Sequence, residues 1–333
     1  VERFPVWMMR QAGRYLPGYM KVRSKTSFLD LCRSPDLAAE VTLEPIELFD
    51  MDAAIVFADI LLTADAMGIE VTFPNGGPKI TAPIRTPEDV KRVHAPDAER
   101  VRAVYETVGI LRKALPPTKA VIGFSAAPFT LCAYMIEGGT SRDFNLTRTF
   151  AHEHPKAFRE LLERSADALV PYLKEQAEAG ADVLQLFDTW GGVLEPRLYR
   201  EMIIPTLQRV MDGLGDDRPP TILFAGLGAE ARLTDAVEVG TEGLSLDWRT
   251  DLAQAYASVG DRVRLQGNLD PTILLADPET IVRETNEMLS QVPAGKPHLT
   301  SLGHGILKDT PPEHAKAFID AAQAFRPATS GVA

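Results

Sequence analysis

AFRELLERSADALVPYLKEQAEAGADVLQLFDTWGG, residues 157–192, holds one complete helix-to-strand unit. Ala157–Ala179 has the apolar spacing of a long helix, led in by Pro155, interrupted by Pro171 and stopped by Gly180. Asp182–Phe187 (DVLQLF) is a short apolar run of strand length, and the next helix begins near Pro196. The same alternation continues to either side. Asp52–Phe57 (DAAIVF), Lys119–Phe124 (KAVIGF), Thr221–Ala225 (TILFA), Gly243–Asp247 (GLSLD), Arg262–Gln266 (RVRLQ) and His298–Leu302 (HLTSL) read as further strands. Ser34-Pro35-Asp36 and Thr86-Pro87-Glu88-Asp89 read as helix starts with Pro at the first helical position, and Arg100–Leu115 as an amphipathic helix. Glu70–Phe73 and Gly77–Ala82, with an NGG turn between them, suggest a small hairpin. Seven or so β-α units with no linker between them imply parallel strands. The expectation is an α/β fold, a single closed (β/α)8 TIM-type barrel domain over residues 1–333 with an N-terminal extension near the active-site face, its basic residues 1–33 contributing to the substrate site, rather than an open doubly wound sheet.

Composition narrows the function classes. The chain has 333 residues, is 45% hydrophobic and carries a net charge of −11, which argues against a nucleic-acid partner. Only Cys32 and Cys132 occur, in no CxxC pair, so a reducing, cytoplasmic setting is expected and a cysteine-rich metal site is not. No 18-residue apolar run or secretory signal is visible, so no membrane partner is expected. The charge is uneven: residues 1–33 hold seven basic groups against two acidic ones, net +5, which leaves −16 for the rest. A local basic patch on an acidic chain suits one anionic small molecule.

That patch contains PVWMMRQAGRYLPGY (5–19), which packs Arg10 and Arg14 among aromatics and methionines around Gly13. Two guanidiniums beside apolar groups suit a greasy ligand that carries carboxylates, since Arg forms paired hydrogen bonds to carboxylate. The competing reading is a surface strap with solvated arginines.

In a barrel the site forms at the C-terminal strand ends. Those ends read Asp59, Ser125, Asp188-Thr189, Asp247, Gln266-Gly267-Asn268-Leu269-Asp270 and Gly303-His304-Gly305. Asp188 and Asp247 are equally readable as helix caps. Gly226-Leu227-Gly228-Ala229-Glu230-Ala231 mimics a dinucleotide fingerprint, but lies late in a barrel pattern. His152-Glu153-His154 reads as a solvated helix start, not a metal pair. No GxSxG elbow and no apolar strand-end lysine occur, so neither a serine hydrolase nor a Schiff-base enzyme is suggested.

Taken together, PVWMMRQAGRYLPGY (5–19), IVFADIL (55–61), GFSAAPFTLCAYMIEGG (123–139), LQLFDTWGG (184–192), LQGNLDP (265–271) and LGHGILKDTPPE (302–313) resemble the uroporphyrinogen decarboxylase family, in the family's order and across nearly the whole chain. The resemblance implies a (β/α)8 barrel, a homodimer, and an enzyme of haem biosynthesis that needs no metal or organic cofactor. Its substrate is uroporphyrinogen, a reduced cyclic tetrapyrrole with four acetates and four propionates. The four acetate carboxylates leave as CO2, giving coproporphyrinogen. A protonated pyrrole serves as the electron sink that a cofactor supplies elsewhere. The matched positions imply that Asp59 accepts the inward pyrrole N–H groups and stabilises the cation that forms. They also imply that Arg10, Gln11, Ala12, Gly13 and Arg14 hold rim carboxylates, and that Tyr134, Thr189 and His304 touch substrate. The proton donor stays open among Arg10, Tyr134, His304, water and a substrate carboxylate, a guanidinium being a poor acid. The chain departs from the family pattern at Gly18, Ala225 and Ser301, and Thr189 stands where Ser is common. Two rivals fit less well. Zinc-dependent corrinoid methyltransferases need a His/Cys metal set, and a non-catalytic tetrapyrrole carrier has no reason to keep Asp59 with both arginines.

Overall fold

A computed structural model of the chain describes residues 3–74 and 77–327. Strands β1 (Ala53–Ile55), β4 (Ala120–Ala126), β5 (Val183–Phe187), β6 (Thr221–Phe224), β7 (Gly243–Ser245), β8 (Arg264–Leu269) and β9 (His298–Leu302) form one parallel sheet in that order. Strands β2 (Val71–Thr72) and β3 (Lys79–Ile80) form a separate antiparallel pair. Each neighbouring pair in the large sheet is consecutive along the chain once this hairpin is set aside, with helices crossing between them. That is the topology expected from the alternation of apolar runs and helical segments.

The first and last strands are joined by the N-terminal segment. Trp7 N–H donates to the Thr300 carbonyl at 3.2 Å, and Thr300 N–H to the Pro5 carbonyl at 2.8 Å. On the other side Asp52 N–H donates to the Val6 carbonyl at 2.9 Å. Residues 5–7 thus occupy the wall position between β9 and β1 and close the sheet into a ring. This corrects the expectation of an N-terminal extension: its first part is barrel wall, and only the residues after Trp7 run beyond it.

The closure is secured by one carboxylate. Asp52 takes two hydrogen bonds from the Arg3 guanidinium, at 2.7 and 2.6 Å, and a third from the buried Val6 N–H at 2.8 Å. Asp52→Ala leaves that N–H without a partner, a loss of about 2 kcal/mol of stability. Urea unfolding with an unchanged m-value reads that loss; an unchanged midpoint refutes the role.

Several boundaries differ from the sequence reading. The run Asp52–Phe57 stops pairing at Ile55, and Phe57 N–H turns instead to the Thr42 hydroxyl at 3.1 Å. Thr86 caps a 3-10 helix, Pro87–Arg92, through a reciprocal capping box with Asp89. The hairpin pairs over two residues on each strand, and Asn75 and Gly76 of its NGG turn lie outside the described residues. Arg262–Gln266 is shifted towards β8 at Arg264–Leu269.

Inside the ring, Trp7 Nε1 donates to Gln266 at 3.0 Å, and Gln266 to Gln185 at 3.3 Å. This polar bridge crosses the barrel from the N-terminal strand position to β8 and β5. Above it, the rings of Phe124, Phe187 and Phe224 pack edge-on and form an apolar floor. His304 meets Phe224 from the C-terminal side at a centroid distance of 6.0 Å.

Candidate active site

The loop 9–14 reaches the C-terminal end of the barrel because its chain runs parallel to β9. Val6 bridges Thr300, and beyond the strand Ile306 N–H donates to the Met9 carbonyl at 3.0 Å. Arg10 has a left-handed φ of 61°, which turns the chain there, and Tyr15 Oη donates to the Gln11 carbonyl at 2.8 Å, which fixes the loop. The Arg10 side chain lies along Gly305: a Cβ there would stand 2.4 Å from its Cδ. Arg10 and Arg14 are both exposed, and neither has an ion-pair or hydrogen-bond partner among the described residues. Gln11 is fully buried with both side-chain polar atoms unpartnered. Unmet groups of this kind are rare in a settled interior and suit a place where a ligand supplies the partners.

Asp59 follows β1, enclosed by protein yet still reached by solvent. Leu61 N–H donates to its carboxylate at 2.8 Å. Burial pushes its pKa up to about 6, against the opposing pull of the Leu61 N–H and of Arg10. His304 sits between Phe224 and Trp248, with edge-on contacts to both. Burial, with Arg10 and Arg249 adding repulsion, lowers its pKa to about 4, so the ring is neutral near pH 7. Burial also raises the Tyr134 hydroxyl; the Trp190 indole and Arg10 oppose this, while Asp59 adds to it. The structure therefore brings Arg10 within electrostatic reach of Asp59, Tyr134 and His304, and Tyr134 within reach of Asp59 as well.

Thr189 and Trp190 stand on the loop after β5, and that loop is held from below. Asp188, fully buried, accepts from Thr130 at 3.3 Å and from Tyr199 at 3.2 Å, and its own pKa is raised to about 6 by burial. Arg232, also buried, donates to the Gly191 carbonyl and stacks on Tyr199 at 4.7 Å. Asp188 is therefore neither a helix cap nor open to a ligand; it is the anchor of the loop. Asp247 does not cap a helix either. It accepts from Gly228 N–H and from the Thr250 hydroxyl, each at 2.8 Å. The Gly228 bond takes the backbone donor a dinucleotide phosphate would need, and the segment that follows it directly is a 3-10 turn, Ala229–Arg232, with the short helix Leu233–Val237 only after that. Strand alternation and the register with β5 turn Ser125 away from the Phe124 face and out of the site.

Two residues of this region carry no signal in the sequence. Arg249, after β7, stacks on Trp248 at 4.9 Å and is a further cation near His304. Trp190 packs against Tyr134 and Phe144, with its Nε1 buried and unpartnered. The departures at Gly18 and Ser301 also have local settings. Glu44 accepts from Gly18 N–H at 2.8 Å and Tyr19 N–H at 2.7 Å, and a Cβ at Gly18 would stand 2.3 Å from that carboxylate. Ser301 lies within β9 opposite Asn268. Both cysteines are free and buried, and burial raises both thiols. No group of three His, Cys, Asp or Glu that could hold a metal occurs among the described residues.

The family model for uroporphyrinogen decarboxylase (URO-D) matches residues 1–325. A uroporphyrinogen decarboxylase of Hydrogenovibrio crunogenus is 45% identical over 334 residues, covering 98% of this chain and 94% of that protein. One from Neisseria meningitidis is 43% identical, covering 96% of this chain and 92% of that protein. Among solved structures, a methyltransferase from Methanosarcina mazei aligns with a TM-score of 0.82 over 97% of this chain and 94% of its own, at 22% identity, a likeness of fold alone. The chain belongs to the uroporphyrinogen decarboxylase family.

Proposed function

We propose that the barrel mouth binds uroporphyrinogen and removes its four acetate carboxylates without a metal or organic cofactor, with Asp59 as the anion that makes this feasible. As a member of its family the chain is a carboxy-lyase of tetrapyrrole biosynthesis. The observation that carries the residue assignment is the carboxylate of Asp59, enclosed near Arg10 and kept from ionising freely by burial. Four inward pyrrole N–H groups supply the donors this carboxylate lacks. When a ring carbon beside the acetate-bearing carbon takes up a proton, the pyrrole becomes a cation and Asp59 stabilises it. The bond to the carboxyl carbon then breaks, its electron pair enters the ring, and CO2 leaves. The exocyclic carbon takes a proton and the ring carbon gives one up, so each cycle consumes one proton and turns an acetate into a methyl group.

Arg10 and Arg14, with Gln11, Ala12 and Gly13, hold rim carboxylates, while Thr189 and His304 position the macrocycle. His304 is neutral in the working range and Tyr134 holds its proton more tightly than usual, so both serve as hydrogen-bonding groups. This favours water or a neighbouring substrate carboxylate as the proton source. In this reading residues 1–333 act as one barrel domain, with 1–33 contributing to the substrate site. The chain works as a cytoplasmic homodimer, and its free cysteines suit that compartment.

The pH dependence of turnover tests the assignment. Asp59 must be ionised, and its raised pKa places that step at about 6. With anaerobic uroporphyrinogen, kcat/KM falls as pH drops through about 6 and levels off above it. A profile flat from pH 5 to 7.5 refutes the role of Asp59, and absence of product at every pH refutes the decarboxylase assignment.

A further inference from the structure

We propose that Trp190 is a specificity-determining residue whose indole N–H, with the Tyr134 hydroxyl, receives the acetate carboxylate that departs; this rests on the decarboxylase reading. The Trp190 Nε1 is buried and has no partner among the described residues, although a buried indole N–H ordinarily finds one. It is held in that state by its surroundings. The indole packs on the fully buried Phe144 at a centroid distance of 4.6 Å and meets Tyr134 edge-on at 6.5 Å. Its backbone N–H donates to Thr130 Oγ1 at 3.3 Å, and Thr130 in turn donates to the buried Asp188. Arg232 fixes the next residue through the Gly191 carbonyl.

The indole N–H is close enough to Tyr134 to favour its phenolate, yet the two are not aligned as a hydrogen-bonded pair. Two neutral donors therefore lie close to one another, and the Tyr134 hydroxyl is within electrostatic reach of Asp59 and Arg10. A carboxylate oxygen seated there takes both.

Neutral donors are the suitable partners for the group that leaves. In the reaction the carboxyl–methylene bond breaks, its electron pair passes into the protonated pyrrole, and uncharged CO2 departs. A guanidinium on that carboxylate would stabilise the ground state more than the transition state and slow the step. An aromatic wall with an N–H and an O–H orients the carboxylate without that penalty. The propionates keep their charge throughout, and they fall to the unpaired Arg10 and Arg14.

Trp190→Phe removes the N–H and keeps an aromatic ring. The test compares kcat/KM for uroporphyrinogen with inhibition by coproporphyrinogen, which carries propionates and no acetates. The expected result is a fall in kcat/KM of about tenfold, the worth of one hydrogen bond to a charged acceptor, with product inhibition unchanged. Trp190→His keeps a ring N–H and retains more of the wild-type kcat/KM. Weakening of substrate and product alike, no change in either, or equal loss in the Phe and His variants overturns the proposal. Wild-type turnover measured alongside reports separately on the decarboxylase reading.

Discussion

Asp59→Asn lowers kcat for uroporphyrinogen by about three orders of magnitude, a loss of about 4 kcal/mol of transition-state stabilisation. The amide keeps an oxygen to accept the Leu61 N–H, which the carboxylate now takes at 2.8 Å, so the backbone turn survives. What disappears is the charge opposite the protonated pyrrole. In the proposed site the four pyrrole N–H groups converge on one carboxylate, so the expected result is that all four acetate losses slow together and octacarboxylate accumulates without a build-up of partly decarboxylated species.

The same change has the opposite effect on stability. The pKa of Asp59 is raised when folded, so its ionised form destabilises the native state fully above pH 6 and ceases to do so well below that. Removing the charge is therefore neutral or stabilising by about 1–2 kcal/mol at pH 7. An Asn variant that is inactive and melts no lower than wild type fits this role. One that keeps full activity contradicts it.

Arg10→Ala carries the second large effect, a fall in kcat/KM of about a hundredfold or more, the cost of leaving a substrate carboxylate without its charged fork. Arg10 has no partner among the described residues, so its removal strands no protein group and leaves the melting temperature close to wild type. The electrostatics give a second signature. Arg10 pulls the pKa of Asp59 down, so its loss moves the acidic limb of the pH profile to higher pH. Arg10→Lys keeps the charge and loses the paired geometry; it leaves that limb in place while recovering only part of kcat/KM. A profile that does not move in the Ala variant separates Arg10 from Asp59 and contradicts their shared site.

The parallel sheet is legible in the sequence because its strands are buried on both faces and read as short apolar runs between helical segments. Asp182–Phe187 and His298–Leu302 lie within a residue of the strands they predict. The eighth wall position is not legible. Residues 5–7 make few ladder bonds, begin at Pro5 and run straight into the left-handed turn at Arg10, so no strand period develops. The segment can pass for a surface strap because its pairing partners, Asp52 and Thr300, are distant in sequence. The site shows the same division. Arg10 is readable from its basic, aromatic patch, and Asp59 and His304 as titratable groups at strand ends. Asp188 and Asp247 carry the same local signal and are anchors, since what separates ligand from anchor is the partner each side chain meets: Tyr199 for one, Gly228 for the other. Trp190 gives no local signal, because its unpartnered N–H depends on Phe144, 46 residues earlier in the chain.

Anaerobic incubation of the wild-type protein with uroporphyrinogen, in the presence of a metal chelator and with no added cofactor, tests the central claim most directly. After oxidation the porphyrins are separated by carboxylate number and the CO2 released is counted. The expected products are species with seven, six, five and four carboxylates in succession, ending in coproporphyrinogen with four CO2 per macrocycle and no loss of rate to the chelator. Recovery of the octacarboxylate alone, or turnover that stops when metal is removed, would contradict a cofactor-free decarboxylase built around Asp59.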